Sequence, residues 1–211
     1  QAVDTNWAMQ QGYETFLLKW AGPGLTRLCC MAGSRYHNAY KTRLVDMVNS
    51  YGVKHYKFDG YWLYCSESGH GHEPNDLSSE AVAQNGIDIF DSLRNRCPDI
   101  WLETTCFGWN PSRWWLFHVN SVLSPFGDDA PRGKIPCPVY RESYTTARDS
   151  FNLQGASLLP IPITAQGVLG IIHQSPEPFL NDAVTTVLRG HSFLPLYMNP
   201  AYMNDDRWRA L

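Results

Sequence analysis

The chain alternates short apolar runs with segments in which apolar residues recur every three or four positions. Short apolar runs bounded by turn residues are typical of buried β-strands, and the longer period is typical of amphipathic helices. One such helical face consists of Tyr40, Leu44, Met47, Val48 and Tyr51. We expect Asn38 to cap this helix and Gly52 to end it.

Alternation of strands and helices predicts a parallel sheet of α/β class. The expected strands are 27–31, 55–58, 100–105, 121–124, 158–163 and 193–197. A (β/α)8 TIM-type barrel has eight strands and typically about 250 residues. The sequence therefore predicts a barrel that lacks its first one or two β-α units, with residues 1–24 as an irregular entry segment and 25–211 as the partial barrel.

A doubly wound open sheet is the competing fold. It would carry a glycine-rich phosphate loop after its first strand, and the sequence contains none there.

The charge of the chain and the length of its apolar runs indicate which classes of binding partner to expect. The formal charge of −3 is spread along the chain, so we expect no nucleic-acid partner. No apolar run approaches the roughly 20 residues that span a bilayer, so we expect no membrane partner. Secreted, periplasmic and cytoplasmic locations stay open, as does the oligomeric state.

The six cysteines form no CxxC pair, which favours buried free thiols over a zinc ribbon or redox site.

The most informative segment is Lys57-Phe58-Asp59-Gly60, at the end of an expected strand. Residues two apart along a strand face the same side, so Lys57 and Asp59 can both face the mouth of a barrel. Lys57 would keep Asp59 ionised, as a nucleophile requires. A strand-end ion pair with no catalytic role is the alternative.

Asp128 and Asp129 follow the expected strand 121–124, two strands later. Such strand ends face each other across a barrel mouth, and retaining glycosidases need two carboxyl groups about 5–5.5 Å apart. Like-charge repulsion between Asp128 and Asp129 would raise one pKa, which favours a proton donor. A solvated turn is the alternative.

The strand ending Lys57-Phe58-Asp59-Gly60, approached through Tyr51-Gly52-Val53, resembles the nucleophile strand of the melibiase-type α-galactosidases of glycoside hydrolase clan D. The resemblance implies a covalent glycosyl-enzyme intermediate on Asp59. It places the acid/base aspartate at Asp128, with Asp129 as the alternative.

The same resemblance suggests which residues line the sugar pocket. The turn after strand 100–105 resembles the family's cysteine-containing pocket turn, and an arginine follows it at a position where some members bind substrate. The expected substrate-binding residues are Lys57, Trp62, Cys106, Gly108, Arg113 and Asp129. Of these, Trp62 is expected to stack on the sugar because it lies beside the nucleophile in sequence.

The segment from Gly69 to Glu73 contains a His-x-His pair, His70 and His72. Its glycine spacing favours a surface loop, because metal ligands need a firm frame. The alternative is a metal-dependent hydrolase that uses these histidines with Asp59. His173 fits either the pocket lining or the core.

We therefore expect a retaining α-glycoside hydrolase that acts on terminal α-galactosides by double displacement, with no metal and no cofactor. Its partner would be an oligosaccharide or glycoside substrate. A catalytically inactive carbohydrate-binding barrel is the alternative from another class.

Overall fold

The computed structural model describes most of the first half of the chain and separate stretches of the second. The described residues are 5–19, 25–59, 62–104, 113–123, 150, 154, 161–167, 171–173, 184, 187–188, 190, 196–198 and 200–211. They belong to two compact units, Gln1–Gly108 and Trp109–Leu211.

The first unit contains three α-helices and four β-strands within its described residues. In chain order they are α1 (Thr5–Gln10), β1 (Thr15–Lys19), β2 (Leu25–Cys29), α2 (Ser34–Tyr51), β3 (His55–Phe58), a 3-10 turn (Ser68–His70), α3 (Ser78–Arg96) and β4 (Trp101–Thr104).

β1 and β2 form an antiparallel pair, with Thr15 opposite Cys29 and Lys19 opposite Leu25. Only residues 20–24 connect the two strands. A connection this short joins neighbouring antiparallel strands, because a crossover between parallel strands takes a dozen or more residues. The pair buries Phe16 and Leu28 in a small core.

β3 and β4 form a parallel pair in which His55 lies opposite Trp101 and Phe58 opposite Thr104. α3 provides the crossover and is long enough to return the chain to the start of the sheet. Phe58 meets Phe90 of α3 edge to face, with ring centroids 5.0 Å apart. This aromatic contact attaches the helix to the strand whose end carries Asp59.

α2 and α3 are joined by a polar contact at their interface. The Asp88 carboxylate of α3 lies 2.7 Å from His37 Nε2 and accepts a hydrogen bond from Lys41 Nζ at 2.6 Å. His37 and Lys41 are one helical turn apart, so a single carboxylate reaches both. Asp88 therefore holds the two helices in one register.

α2 begins four residues before the expected cap, Asn38, and that prediction is wrong. Instead Glu14, from the segment before β1, accepts hydrogen bonds from the backbone amides of Arg35 and Tyr36. A carboxylate at a helix N-terminus satisfies amides that have no partner within the helix. The expected end at Gly52 is confirmed: its φ is +64° and its amide donates to Val48.

The second unit contains short elements within its described residues. They are a 3-10 helix (Arg113–Phe117), β5 (Ser121–Leu123), a 3-10 turn (Ile163–Ala165), β6 (Gln166–Gly167), β7 (Ile171–His173), β8 (Leu196–Met198), a 3-10 turn (Pro200–Tyr202) and a terminal helix (Asp205–Arg209). β5 pairs in parallel with β6, and β7 with β8. The Asn204 side chain caps the terminal helix by accepting from the Arg207 amide at 3.0 Å.

The prediction of a (β/α)8 TIM-type barrel, complete or lacking its first units, is wrong. The described strands form no ring of eight parallel strands. Moreover β2, expected as an early barrel strand, pairs antiparallel with β1. Apolar periodicity predicts that a strand exists, but the length of its connections decides which strand it pairs with and in which direction. The sequence predicted an irregular entry segment at residues 1–24. In the structure, residues 5–10 of this segment form α1 and residues 15–19 form β1.

Other elements agree with the sequence to different degrees. The strands near 55–58, 100–105 and 121–124 are present as β3, β4 and β5. Of the expected strand 158–163, residues 158–160 lie outside the described residues, and Ile163 begins a 3-10 turn. No helix within the described part of the chain is both long enough and apolar enough to cross a membrane.

Candidate functional site

Asp59 immediately follows β3, at the carboxyl end of the parallel β3–β4 pair, and is exposed. Phe58, the last residue of the strand, is buried against α3. The strand end is therefore anchored in the core while the next side chain reaches solvent. In open parallel sheets, ligands bind outside the carboxyl ends of the strands.

Lys57 lies one position before Phe58 and is half-buried. Its register partner on β4 is Glu103, which is fully buried. Burial and the positive charge of Lys57 lower the pKa of His55, two residues earlier on the same strand. This face of the β3–β4 pair therefore carries ionisable groups rather than a continuous apolar surface.

Trp62 has a packing environment that the sequence did not indicate. It is half-buried and packs against the small core of Phe16, Leu28, Cys30 and Cys65. This contact fixes the chain shortly after Asp59. A sugar-stacking role for Trp62 remains a prediction.

The remaining predicted site residues are distributed as follows. Cys106, Gly108, Asp128 and Asp129 lie outside the described residues. Arg113 is exposed and begins the 3-10 helix of the second unit. The carboxylate pair on which the glycosidase hypothesis depends is thus represented in the described residues by Asp59 alone.

Four other side chains of the first unit converge: Cys30, Cys65, His70 and His72. Their donor atoms, two sulfurs and two imidazole nitrogens, all lie within 4.8 Å of one another. Cys30 Sγ is 3.2 Å from His72 Nε2, and Cys65 Sγ is 3.3 Å from His70 Nδ1. Both cysteines are fully buried, and both histidines are half-buried.

The loop from Cys65 to Asn75 supplies three of these four side chains, and backbone pairing closes its neck. The Asn75 amide donates to the Cys65 carbonyl at 2.7 Å. The Cys65 amide donates to the buried Ser78 hydroxyl at 2.8 Å. Gly71, with φ +83°, turns the chain between the two histidines, a conformation that favours glycine.

Cys30 comes from a different element, directly after β2. Its amide donates to the Glu14 carbonyl at 2.8 Å, which extends the β1–β2 ladder by one residue. The backbone amides of Ala32 and Gly33 donate towards its sulfur, as the Glu67 amide does towards Cys65. Each sulfur is therefore surrounded by groups that stabilise negative charge.

The electrostatics of the two cysteines are linked. The hydrogen bond from the Cys30 thiol, assisted by His70, lowers the pKa of Cys65 to about 5. The same bond, together with burial, raises the pKa of Cys30 above its usual range. The hydrogen bond thus favours the thiolate form of Cys65 and the thiol form of Cys30.

Sequence reasoning considered the His-x-His pair but not its combination with these cysteines. A local signal was present, because Cys65 precedes His70 by five residues in a Cys-x4-His-x-His spacing. Cys30 had no such signal, since it reaches the cluster only through the fold. Asp59, which one sequence hypothesis joined to these histidines, is not in the cluster.

Comparison of the chain with protein-family models, with curated proteins and with solved structures finds no match.

Proposed function

We propose that the chain is a glycoside hydrolase that acts on terminal α-galactosides, with Asp59 as its nucleophile. One observation carries the proposal: Asp59 is an exposed carboxylate directly at the carboxyl end of a parallel strand whose last residue, Phe58, is buried. That position suits a nucleophile because a rigid core holds the backbone while the carboxylate faces solvent and substrate. The similarity of Lys57-Phe58-Asp59-Gly60 to the melibiase nucleophile strand supports it independently.

The proposed reaction has two displacements. A carboxylate oxygen of Asp59 bonds to the anomeric carbon as the bond to the leaving oxygen breaks, and an acid protonates that oxygen. Water then attacks the same carbon, the acid residue now acts as a base, and the Asp59 ester bond breaks. The family resemblance implies Asp128 as the acid/base residue, with Asp129 as the alternative, and both lie outside the described residues. Lys57 would bind the substrate beside Asp59, as the sequence predicts.

Asp59→Asn tests the role of the nucleophile. An amide is a poor nucleophile, so kcat/KM on a nitrophenyl α-galactoside should fall by at least about 1,000-fold. Far-ultraviolet circular dichroism should be unchanged because the replaced side chain is exposed. Asp46→Asn is the matched control: it makes the same substitution at an exposed position of α2 and should leave turnover at the wild-type rate.

A fluorinated galactosyl fluoride provides a direct readout, since it forms a slowly hydrolysed ester with a retaining nucleophile. Peptide mapping of the labelled wild-type protein should place the sugar on Asp59. A label on another carboxylate, or normal turnover by Asp59→Asn, would remove Asp59 from the role. Galactoside binding without product release by the wild-type protein would show a carbohydrate-binding protein rather than an enzyme.

A further inference from the structure

We propose that Cys30, Cys65, His70 and His72 form a structural zinc site. The site would tie the Cys65–Asn75 loop to the end of β2. Asp59 is not among its residues, so the proposal does not depend on the galactosidase chemistry.

The donor set is one that zinc prefers. Two thiolates and two imidazoles form a Cys2His2 set, and borderline-soft Zn²⁺ binds both kinds of ligand. Ca²⁺ and Mg²⁺ require oxygen ligands, which this set lacks. Four protein ligands complete a tetrahedron and leave no position for water or substrate, which is the pattern of a structural rather than a catalytic site.

The distances are close to those of a tetrahedral site. Zinc bond lengths of about 2.3 Å to sulfur and 2.0–2.1 Å to nitrogen imply donor separations of roughly 3.3–3.8 Å. The two sulfur–nitrogen contacts measure 3.2 and 3.3 Å, and all separations are within 4.8 Å. Movements of about 1 Å or less would therefore bring the donors to bonding distance of one ion.

The orientation of His72 fits metal binding. Its Nδ1 lies 2.7 Å from the carbonyl oxygen of Glu73, which can accept a hydrogen bond only. Nδ1 must therefore carry the proton, so Nε2 presents its lone pair towards Cys30 Sγ. Metal-binding histidines commonly donate their second ring N–H to a carbonyl or carboxylate in this way.

The frame around the donors is firm despite the glycines at 69 and 71. The Cys65–Asn75 bridge and the Ser78 hydroxyl close the loop at its base. Cys30 is held by the β1–β2 ladder. Backbone amides around both sulfurs provide the outer-shell hydrogen bonds that stabilise coordinated thiolates. The glycine spacing around His70 and His72 had favoured a surface loop over a metal site, because metal ligands need a firm frame. These contacts provide such a frame.

Zinc would also complete the small core beneath the loop. Cys30 and Cys65 pack with Phe16 and Leu28, with Trp62 and Tyr64 against them. This core is small, and a metal crosslink between residues 30 and 72 would stabilise it in the way that metal sites stabilise other small cores. The bound ion would thereby hold the segment that follows Asp59.

The test is zinc content and affinity of the full chain. Untagged protein purified with reductant should contain one zinc ion per chain by elemental mass spectrometry. X-ray absorption should report two sulfur and two nitrogen neighbours. Cobalt(II) in place of zinc should produce thiolate charge-transfer bands and the intense visible bands of tetrahedral coordination.

Cys30→Ser and Cys29→Ser form a matched pair of variants. They change adjacent cysteines in the same way, but only Cys30 is in the cluster. Cys30→Ser should weaken zinc binding by at least about 100-fold in competition with a chromophoric chelator, because it removes one of four ligands. Cys29→Ser should bind as the wild type does.

Other outcomes would overturn the proposal. They are a metal-free wild-type protein that gains no tetrahedral cobalt spectrum, equal zinc affinity in both variants, or a Cys30–Cys65 disulfide in place of bound metal. If Cys30→Ser fails to fold, zinc content and X-ray absorption of the wild-type chain decide the matter. Asp59→Asn should retain full zinc content, so failure of the hydrolase proposal remains distinguishable from failure of this one.

Discussion

The Ser78 hydroxyl links the two backbone segments, at Cys65 and at Asn75, that form the neck of the Cys65–Asn75 loop. It accepts a hydrogen bond from the Cys65 amide and donates one to the Asn75 carbonyl. Ser78 is fully buried. Water therefore cannot easily replace the hydroxyl, and the Cys65 amide depends on this side-chain oxygen as its acceptor.

Ser78→Ala should lower the free energy of unfolding by about 1–3 kcal/mol, because it leaves the buried Cys65 amide without an acceptor. Urea denaturation monitored by tryptophan fluorescence measures the change. Ser50→Ala, at an exposed position near the end of α2, should change stability by less than about 0.5 kcal/mol. Equal stability of the two variants would show that the neck does not depend on this hydroxyl.

At the residue scale the sequence predicted some features of the chain and missed others. It predicted Asp59 at the end of a strand, because the apolar run before it and the polar turn after it are local. It could not predict the partners of Cys30, since these are 35 or more positions away in the chain. Nor could it identify Glu14 as the cap of α2, since Glu14 lies 21 positions before Arg35, whose amide it accepts from.

At the scale of elements, the Asp88 bridge couples α2 to α3. Burial alone would raise the pKa of Asp88, but Lys41 and His37 together lower it. A depressed carboxyl pKa stabilises the folded state above the unfolded value of about 3.9 and ceases to do so as pH falls through the folded value. The carboxylate is 43% exposed, so solvent screens much of the interaction.

Asp88→Asn should therefore destabilise the chain by only about 0.5–1 kcal/mol at neutral pH. The difference from wild type should shrink as pH falls below about 4 and disappear once the folded-state carboxyl is protonated. Urea titrations across this range provide the measurement. Asp46→Asn, at an exposed position of α2, is the control and should show no such pH dependence. A difference that persists in acid would refute an ionic role for Asp88.

Some elements followed from the local sequence pattern, whereas the pairing of others was decided by the tertiary structure. The strand at 55–58 and the helix that ends at Gly52 follow from periodicity and a C-terminal glycine, and both are present. The strand near 27–31 is present as β2, but its antiparallel partner lies in a segment predicted to be irregular. Strand pairing depends on the path of the chain, and periodicity does not contain that information.

At the scale of the whole molecule, the zinc proposal predicts a link between metal and stability. A ligand present at 100 to 1,000 times its dissociation constant stabilises the folded state by about 2.7–4.1 kcal/mol. Removal of zinc by a chelator should therefore lower the midpoint of thermal unfolding by roughly 5–15 °C. Added zinc should restore it.

Two variants serve as controls for the effect of the chelator on thermal unfolding. The chelator should change the unfolding midpoint of Cys30→Ser much less than that of the wild type, because the variant has lost one of its four zinc ligands. Asp59→Asn should respond to the chelator as the wild type does, because Asp59 is outside the cluster. An equal chelator shift in Cys30→Ser would assign the stabilisation to another metal site.

The sequence by itself determined where β3 lies and where α2 ends, because apolar periodicity and a terminal glycine act over a few neighbouring residues. It also placed an exposed acid at a strand end. Only the tertiary structure decided that β2 runs antiparallel to β1, and that Cys30 meets Cys65, His70 and His72. Those outcomes depend on contacts between distant segments, whose free energy is gained only when the chain has folded.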